Sequence, residues 1–469
     1  MKKIIAILLT LALVFSLAAC GGEETPAGND NADNGNSVTD GTNTDGGNGD
    51  GSVSDTGNGS DTSGDTSGGT SGGTSGGTGG GNGQTSNNQS GNGGSTVTVT
   101  GAGYASERTI DKSGAVSKVD DLSNTYYKLK TEKKLKIGYI GGSVTGGTGG
   151  TGGYNWASAT TEWFKTTFSG ATIEEKNVAW GGTSSFWGYF RMDADNTGRD
   201  NLIAFNPDLV FVEFSINDAY SHLTEMQSHY YMEGIIKKLR AANPKMDIVI
   251  VLITDKSKQD GETKNSTAHK AVAAHYGIPT IDVGKALVKE IKDKGAKWED
   301  YVTDIVHPNN EGYKVYADCI AAYLRSELVT ATNKSGLKDH AKPAHDLVSN
   351  SGVKSQIIAA DSITTQTGFT AINSSAVNCP DLGGKHMFGK QGSKMTVEFE
   401  GRGFGVLCDG GNGAKLKITV DGKSVTVDVM GGNNFEYPAI ENLNYGKHTA
   451  EIEIVSGSKV AIGVFVVEK

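Results

Sequence analysis

The sequence predicts an α/β domain, a three-layer α/β/α sandwich built on a parallel sheet, followed by a C-terminal all-β sandwich or jelly roll. Three observations predict it. From Leu135 to Leu328 short apolar runs alternate with helical stretches, the pattern of a parallel sheet covered on both faces. From Met395 onward the runs are short, alternate apolar with polar residues and are separated by Gly, Asn and Asp, the pattern of packed antiparallel sheets. Glycine is also unevenly spread: of 67 in the 469 residues, 25 lie between Gly21 and Ser95, in a stretch with no aromatic residue that cannot bury a core. That stretch carries ten acidic residues and no Lys or Arg, which matches the net charge of −10 for the whole chain, so residues 96–469 are nearly neutral. With no clustered Lys and Arg, no nucleic-acid surface is expected.

Residues 1–19 read as a signal peptide: Lys2 and Lys3, an apolar run from Ile4 to Leu17, then Ala18-Ala19 before Cys20. The apolar run is shorter than the roughly 20 residues a spanning helix needs. Leu17-Ala18-Ala19-Cys20 resembles the lipobox of bacterial lipoproteins. The resemblance implies cleavage before Cys20, lipidation of its thiol, and a protein exported and held on the outward face of the bacterial cell membrane by more than one acyl chain. Residues 20–95 then form a tether, which random-coil scaling places at about 50 Å on average. Residues 96–132 are a lead-in whose structure the sequence does not assign.

The domain at 133–328 begins with strand Leu135 to Ile140, helix Asn155 to Phe168 and strand Ala171 to Ala179. Strand Asp208 to Ser215, helix Thr224 to Ala242 and strand Asp247 to Ile253 follow. A helix near Glu262 to Tyr276, a strand at Thr280 to Val283 and a helix from Asn310 to Leu328 complete it. In such sheets ligands bind beyond the carboxyl ends of the strands, so the residues just after each strand carry the information. After the first strand comes Gly141-Gly142-Ser143-Val144-Thr145-Gly146-Gly147, with Ser143 at the strand-to-helix turn. The loop lacks the Gly-Lys-Ser/Thr ending of a phosphate-binding loop. The second strand leads into Trp180-Gly181-Gly182-Thr183, where glycine leaves a backbone N–H open to a ligand. The third ends in Glu213-Phe214-Ser215-Ile216-Asn217-Asp218, a polar cluster that can also be a simple turn. Beyond the last strand Asp304 stands three residues before His307, a spacing that lets a carboxylate hold an imidazole in the tautomer of a general base. A metal pair is the alternative, and no third ligand is evident nearby.

Taken together, Gly142-Ser143, Gly182, Asn217-Asp218 and Asp304-x-x-His307 resemble, in order and separation, the sequence blocks of the SGNH hydrolases, or GDSL-type esterases, over residues 133–328. Gly142 departs from the family, which usually has Asp before the nucleophile, and Ser215 stands where Gly is usual. The resemblance implies a serine esterase with Ser143 as nucleophile, His307 as base and Asp304 as its orienting carboxylate. The oxyanion hole would consist of the N–H groups of Ser143 and Gly182 and the amide of Asn217. No metal and no cofactor is implied. The Gly-Gly-Ser start resembles a branch associated with carbohydrate deacetylation. An acylated, foremost acetylated, polysaccharide is therefore the expected substrate; a lipid-ester esterase or lysophospholipase and a non-catalytic sugar-binding lipoprotein are the alternatives. Trp187, in the aromatic-rich stretch Trp180 to Arg191, either stacks on a sugar or belongs to a helix core. Asp218, Glu213, His222, His229, His269 and His275 read as structural.

A polar connection at 329–345 leads to the β domain at 346–469. Its expected strands are Met395 to Phe399, Gly403 to Cys408, Leu416 to Val420, Ser424 to Val429, His448 to Val455 and Val460 to Val467. Phe399 to Gly405 and Val420-Asp421-Gly422 resemble the small jelly rolls that accompany SGNH carbohydrate esterases. The domain would bind sugar, form a rigid lid beside the active site, or simply pack. Beyond Cys20, Cys319 reads as a small helix residue, and Cys379 and Cys408 can pair.

Overall fold

The structure, a computed structural model, describes residues 96–99 and 108–469 apart from 195–200, 260–261, 333, 374–376, 378, 381–383, 412 and 433–434. The expected signal peptide, Cys20 and the Gly-rich tract lie outside the described residues.

The chain enters with β1 (Thr96–Val99) paired antiparallel to β2 (Arg108–Asp111), then α1 (Ser123–Tyr127). The central sheet follows: β3 (Lys134–Gly141), short α2 (Ser143–Gly146), α3 (Trp156–Thr167), β4 (Thr172–Asn177), α4 (Ser185–Arg191), α5 (Leu202–Phe205) and β5 (Leu209–Glu213). It continues through α6 (Ser215–Tyr220), α7 (Glu225–Ala242), β6 (Asp247–Leu252), α8 (Lys264–Tyr276), β7 (Thr280–Asp282), α9 (Val283–Lys294) and α10 (Asn310–Arg325). The five strands are parallel in the order β4-β3-β5-β6-β7. Because side chains alternate across a strand, each strand feeds two cores. Tyr139, Phe211 and Val251 meet the layer of α3, α9 and α10, while Ile140, Val212 and Ile250 meet that of α4, α7 and α8. Strand order reverses between β3 and β5, where the chain leaves one strand to each side, so a crevice opens beyond Gly141 and Glu213.

The C-terminal strands are β8 (Ser355–Ala359), β9 (Gln366–Thr367), β10 (Thr370–Ile372), β11 (His386–Gly389), β12 (Lys394–Gly401), β13 (Gly403–Gly410), β14 (Ala414–Val420), β15 (Lys423–Val429), β16 (Glu436–Ile440), β17 (Gly446–Ser456) and β18 (Val460–Glu468). They form two antiparallel sheets, β10-β11-β18-β13-β16 with β8 on β18, and β15-β14-β17-β12-β9. Asp421 and Gly422, with φ of 51° and 82°, make the two-residue turn between β14 and β15 that suits twisted strands. β18 is buried along its whole length. Ile462, Phe465 and Val467 fill the sandwich, whereas Val464 and Val466 join the core of α4 and α7. The two domains thus share a core within one compact unit.

The lead-in and the connection between domains are fastened to the rest. Asp111 N–H donates to Leu347 O (2.8 Å), and the buried Glu233 carboxylate accepts the N–H groups of Leu347 (2.5 Å) and Val348 (2.8 Å). Arg108 lies 3.1 Å from Glu468 and over the Tyr230 ring, while Tyr230 and Tyr231 donate to Glu468 at 2.9 and 3.1 Å. Among the described residues the possible Cys379–Cys408 bridge is not formed.

Candidate active site

β3 runs out through Gly141, a position where a side chain would meet Thr145 and the Glu213 carbonyl, and Gly142 turns the chain so that Ser143 opens α2. Tyr313 fixes this loop by donating to the carbonyls of Val144 (3.1 Å) and Thr148 (2.7 Å). Behind it, the Thr145 hydroxyl donates to Glu213 at 2.9 Å; burial pushes this carboxyl up to about 7 against that bond. On the opposite rim, Val302 and Pro308 pair as a bridge and Thr303 N–H donates to His307 O at 2.8 Å, drawing 304–307 into a tight loop. Asn309 caps α10 immediately afterwards.

These two loops bring Ser143 Oγ within 2.8 Å of His307 Nε2 and His307 Nδ1 within 2.6 Å of Asp304 Oδ2. The other Asp304 oxygen accepts the N–H groups of Val306 and His307, both at 2.8 Å. Partial burial works the other way, yet these bonds hold the Asp304 carboxyl below the usual carboxylate range. A hydroxyl bonded to an imidazole that a carboxylate orients is an arrangement able to deprotonate the hydroxyl as it attacks a carbonyl.

The remaining expected donors lie around Ser143. Gly182 has φ of +75°, a backbone only glycine adopts freely, and a side chain on Gly181 would touch Ser143 Cβ at 3.6 Å. Trp180 N–H donates to Gly141 O (3.0 Å), which lays this loop beside the nucleophile turn. Asn217, in the first turn of α6, is 8% exposed and its amide packs on Gly142. Among the described residues no protein acceptor is bonded to the Ser143 or Gly182 N–H or to the Asn217 amide. The Gly182 loop and the Asn217 amide thus lie beside the turn that carries Ser143, at the β3/β5 reversal.

Residues 139–315 match the model of the GDSL-like lipase/acylhydrolase family. The central domain is an SGNH hydrolase, a serine esterase by class. Two crystal structures of a two-domain esterase active on acetylated mannans, one co-crystallised with mannopentaose, are similar to most of this chain. They superpose with TM-scores of 0.62 and 0.61 at 22% and 23% identity, and each match covers 77% of this chain and 99% of the other. At such identities the likeness speaks to the fold, a hydrolase followed by a β domain. No curated protein sequence matches.

The two departures of this SGNH domain have structural counterparts. A Cβ on Gly142 would lie 2.3 Å from Asn217 Oδ1 and 2.6 Å from Nδ2, so glycine makes room for the amide. Ser215 accepts the Ile253 N–H at 3.3 Å, tying the end of β5 to that of β6. Trp187 is a correction to the sugar-contact expectation. It is fully buried, edge-on to Trp180 with ring centroids 6.3 Å apart, and offers no face to a saccharide. Tyr220, one turn beyond Asn217 on α6, is 39% exposed and donates its hydroxyl to Asp255 at 3.1 Å. Burial, Asp255 and Asp304 all push its phenol upward. Asp218, structural as expected, accepts both the N–H and the hydroxyl of Ser185 at 2.8 Å and meets the buried His269 at 2.8 Å.

Proposed function

We propose that this protein removes small acyl groups, acetyl foremost, from a polysaccharide outside the cell, held to the bacterial membrane through a lipid on Cys20. The observation that carries the chemistry is the Ser143–His307–Asp304 relay, at 2.8 and 2.6 Å. Ser143 Oγ attacks the acyl carbonyl while His307 Nε2 takes its proton, and Asp304 stabilises the resulting imidazolium. The carbonyl electron pair moves onto oxygen, where the N–H groups of Ser143 and Gly182 and the Asn217 amide receive it. Collapse breaks the bond to the sugar oxygen, which leaves with the proton from His307. Water, deprotonated by the same imidazole, then cleaves the acyl-serine and releases the carboxylic acid.

The polysaccharide reading is supported by the fold shared with the two-domain esterase active on acetylated mannans. The exposed Tyr220 ring gives it a surface on which a sugar can stack. Membrane attachment is supported by the Leu17-Ala18-Ala19-Cys20 sequence and the tract behind it.

Rates on p-nitrophenyl acetate, butyrate and octanoate test the acyl preference. A steep fall with chain length is expected, and a rise toward octanoate would favour lipid esters. For the anchor, the wild type is expected to partition into a detergent phase and Cys20→Ala into the aqueous one; equal partitioning would refute attachment at that residue.

A further inference from the structure

The loop that carries Gly182 is anchored by both domains. Thr183 Oγ1 donates to Trp180 O at 2.7 Å and closes the turn, and Trp180 N–H is bonded to Gly141 two residues before the nucleophile. Ser185 is held by Asp218, the neighbour of Asn217, through two bonds of 2.8 Å. Between them, Ser184 is held by the β domain. Its N–H donates to both oxygens of Glu436 at 3.1 Å, and its hydroxyl also donates to Glu436. Ser184 is completely buried and Glu436, the first residue of β16, nearly so.

A carboxyl in such a place costs free energy to desolvate, and joining the domains does not require one. Apolar contacts already join them: Phe186 stands so close to Gly405 that a Cβ there would meet its ring at 2.8 Å, and Leu407 and Phe435 lie in the core of α4 and α7. What Glu436 adds is direction. It fixes the backbone two residues beyond Gly182, which holds a left-handed conformation in the loop beside Ser143.

We propose that the β domain is a working part of the active site, with Glu436 acting through Ser184 as a positioning residue for the Gly182 oxyanion donor. The inference rests on the catalytic reading of Ser143 and Gly182 given above. Burial pushes the Glu436 carboxyl up to about 8 against the pull of the two Ser184 bonds, and a carboxamide of the same size is its nearest uncharged mimic.

The test uses the full chain and p-nitrophenyl acetate, a substrate too small to need saccharide contacts. Wild type, Glu436→Gln, Glu436→Ala and Ser184→Ala are compared, with Ser143→Ala as the blank. A trifluoromethyl ketone, which forms a hemiketal oxyanion on the serine, serves as a second probe. A misplaced donor forfeits part of the roughly 100-fold or greater rate factor it supplies. Glu436→Ala is therefore expected to lower kcat by about 10- to 100-fold with KM within about threefold, and to weaken the ketone in step. Glu436→Gln is expected to keep at least about a third of wild-type kcat, and Ser184→Ala to lose about three- to tenfold. A folded Glu436→Ala protein with wild-type kcat, a loss confined to KM, or a Gln variant as impaired as Ala would overturn the proposal. Should Glu436→Ala not fold, unchanged kcat and ketone affinity in Ser184→Ala would overturn it equally. A wild type no faster than Ser143→Ala would instead sink the catalytic reading and this inference with it, an outcome distinct from an active wild type indifferent to Glu436.

Discussion

At the scale of single residues, the account depends on where a few donors and one ring sit. Asn217 aims its amide across Gly142 toward the nucleophile turn, so Asn217→Ala is expected to lower kcat by about 100- to 1,000-fold with KM little changed. Steady-state kinetics on p-nitrophenyl acetate check this, and an unchanged kcat removes Asn217 from the oxyanion hole. Gly142→Asp, which restores the residue usual in the family, is expected to displace the same amide and cost at least about tenfold in kcat in a folded protein. Tyr220→Ala is expected to raise KM on acetylated polysaccharide by about three- to tenfold more than on p-nitrophenyl acetate, since stacking on an exposed ring is worth about 1 kcal/mol. Equal effects on both substrates would take the sugar away from Tyr220. That Ser143, Asp304 and His307 come together was legible in the sequence because each sits in a short run after a strand, where local spacing reports chemistry. Glu436 was not, because it meets Ser184 across 252 residues and no local pattern marks such a pair. Trp187 was ambiguous for a related reason: an aromatic at helical spacing looks the same whether it faces the core or a ligand.

At the scale of elements, buried carboxyls at both ends of the sheet and at the domain joint give a pH dependence. Burial pushes Glu213 and Asp247 up to about 7 and Glu436 up to about 8. In the unfolded chain such groups ionise near pH 4 to 4.5, whereas the folded protein keeps their protons. Their contribution to stability is therefore fully present below that range and is lost as pH rises through the folded values. Asp304 works in the opposite sense, stabilising above the ordinary carboxylate range and losing its share as pH falls. Glu436→Gln removes one of the raised groups, so its Tm is expected to decline less than that of wild type between pH 5 and pH 9, as read by thermal unfolding. Parallel curves would contradict a buried, proton-retaining Glu436. The main strands and most long helices were legible from their periodicity, whereas β8 to β11, β16 and α9, among others, were not. β16 contains Pro438, which breaks a strand pattern and is tolerated because β16 lies at a sheet edge. α9 begins directly after the three residues of β7, with no connecting loop to announce it.

At the scale of the whole molecule, hydrolase and sandwich behave as one folding unit. Val464 and Val466 belong to the core of α4 and α7, and Arg108 of the lead-in reaches Glu468 near the far end of the chain. Both charges are buried, so Arg108→Ala leaves Glu468 unpaired and is expected to cost about 3–5 kcal/mol in urea unfolding. A loss below about 1 kcal/mol would mean that the pair is dispensable to the joint. The order of the two domains could be read from the change of pattern near residue 395, but the shared core could not, because a strand buried on both faces reads the same whatever covers it. The joint also gives the β domain a reason to accompany the esterase, since the wall it provides reaches the loop of the oxyanion hole.

The central claim is that Ser143 cleaves acetyl esters on a polysaccharide. Its most direct test is acetate release from acetylated mannan and acetylated xylan by the full chain, beside Ser143→Ala of matched circular dichroism. Release by the wild type that falls by at least about 1,000-fold in the variant is the expected result. No release from any acetylated glycan by a folded wild type, or equal release by both proteins, would contradict it.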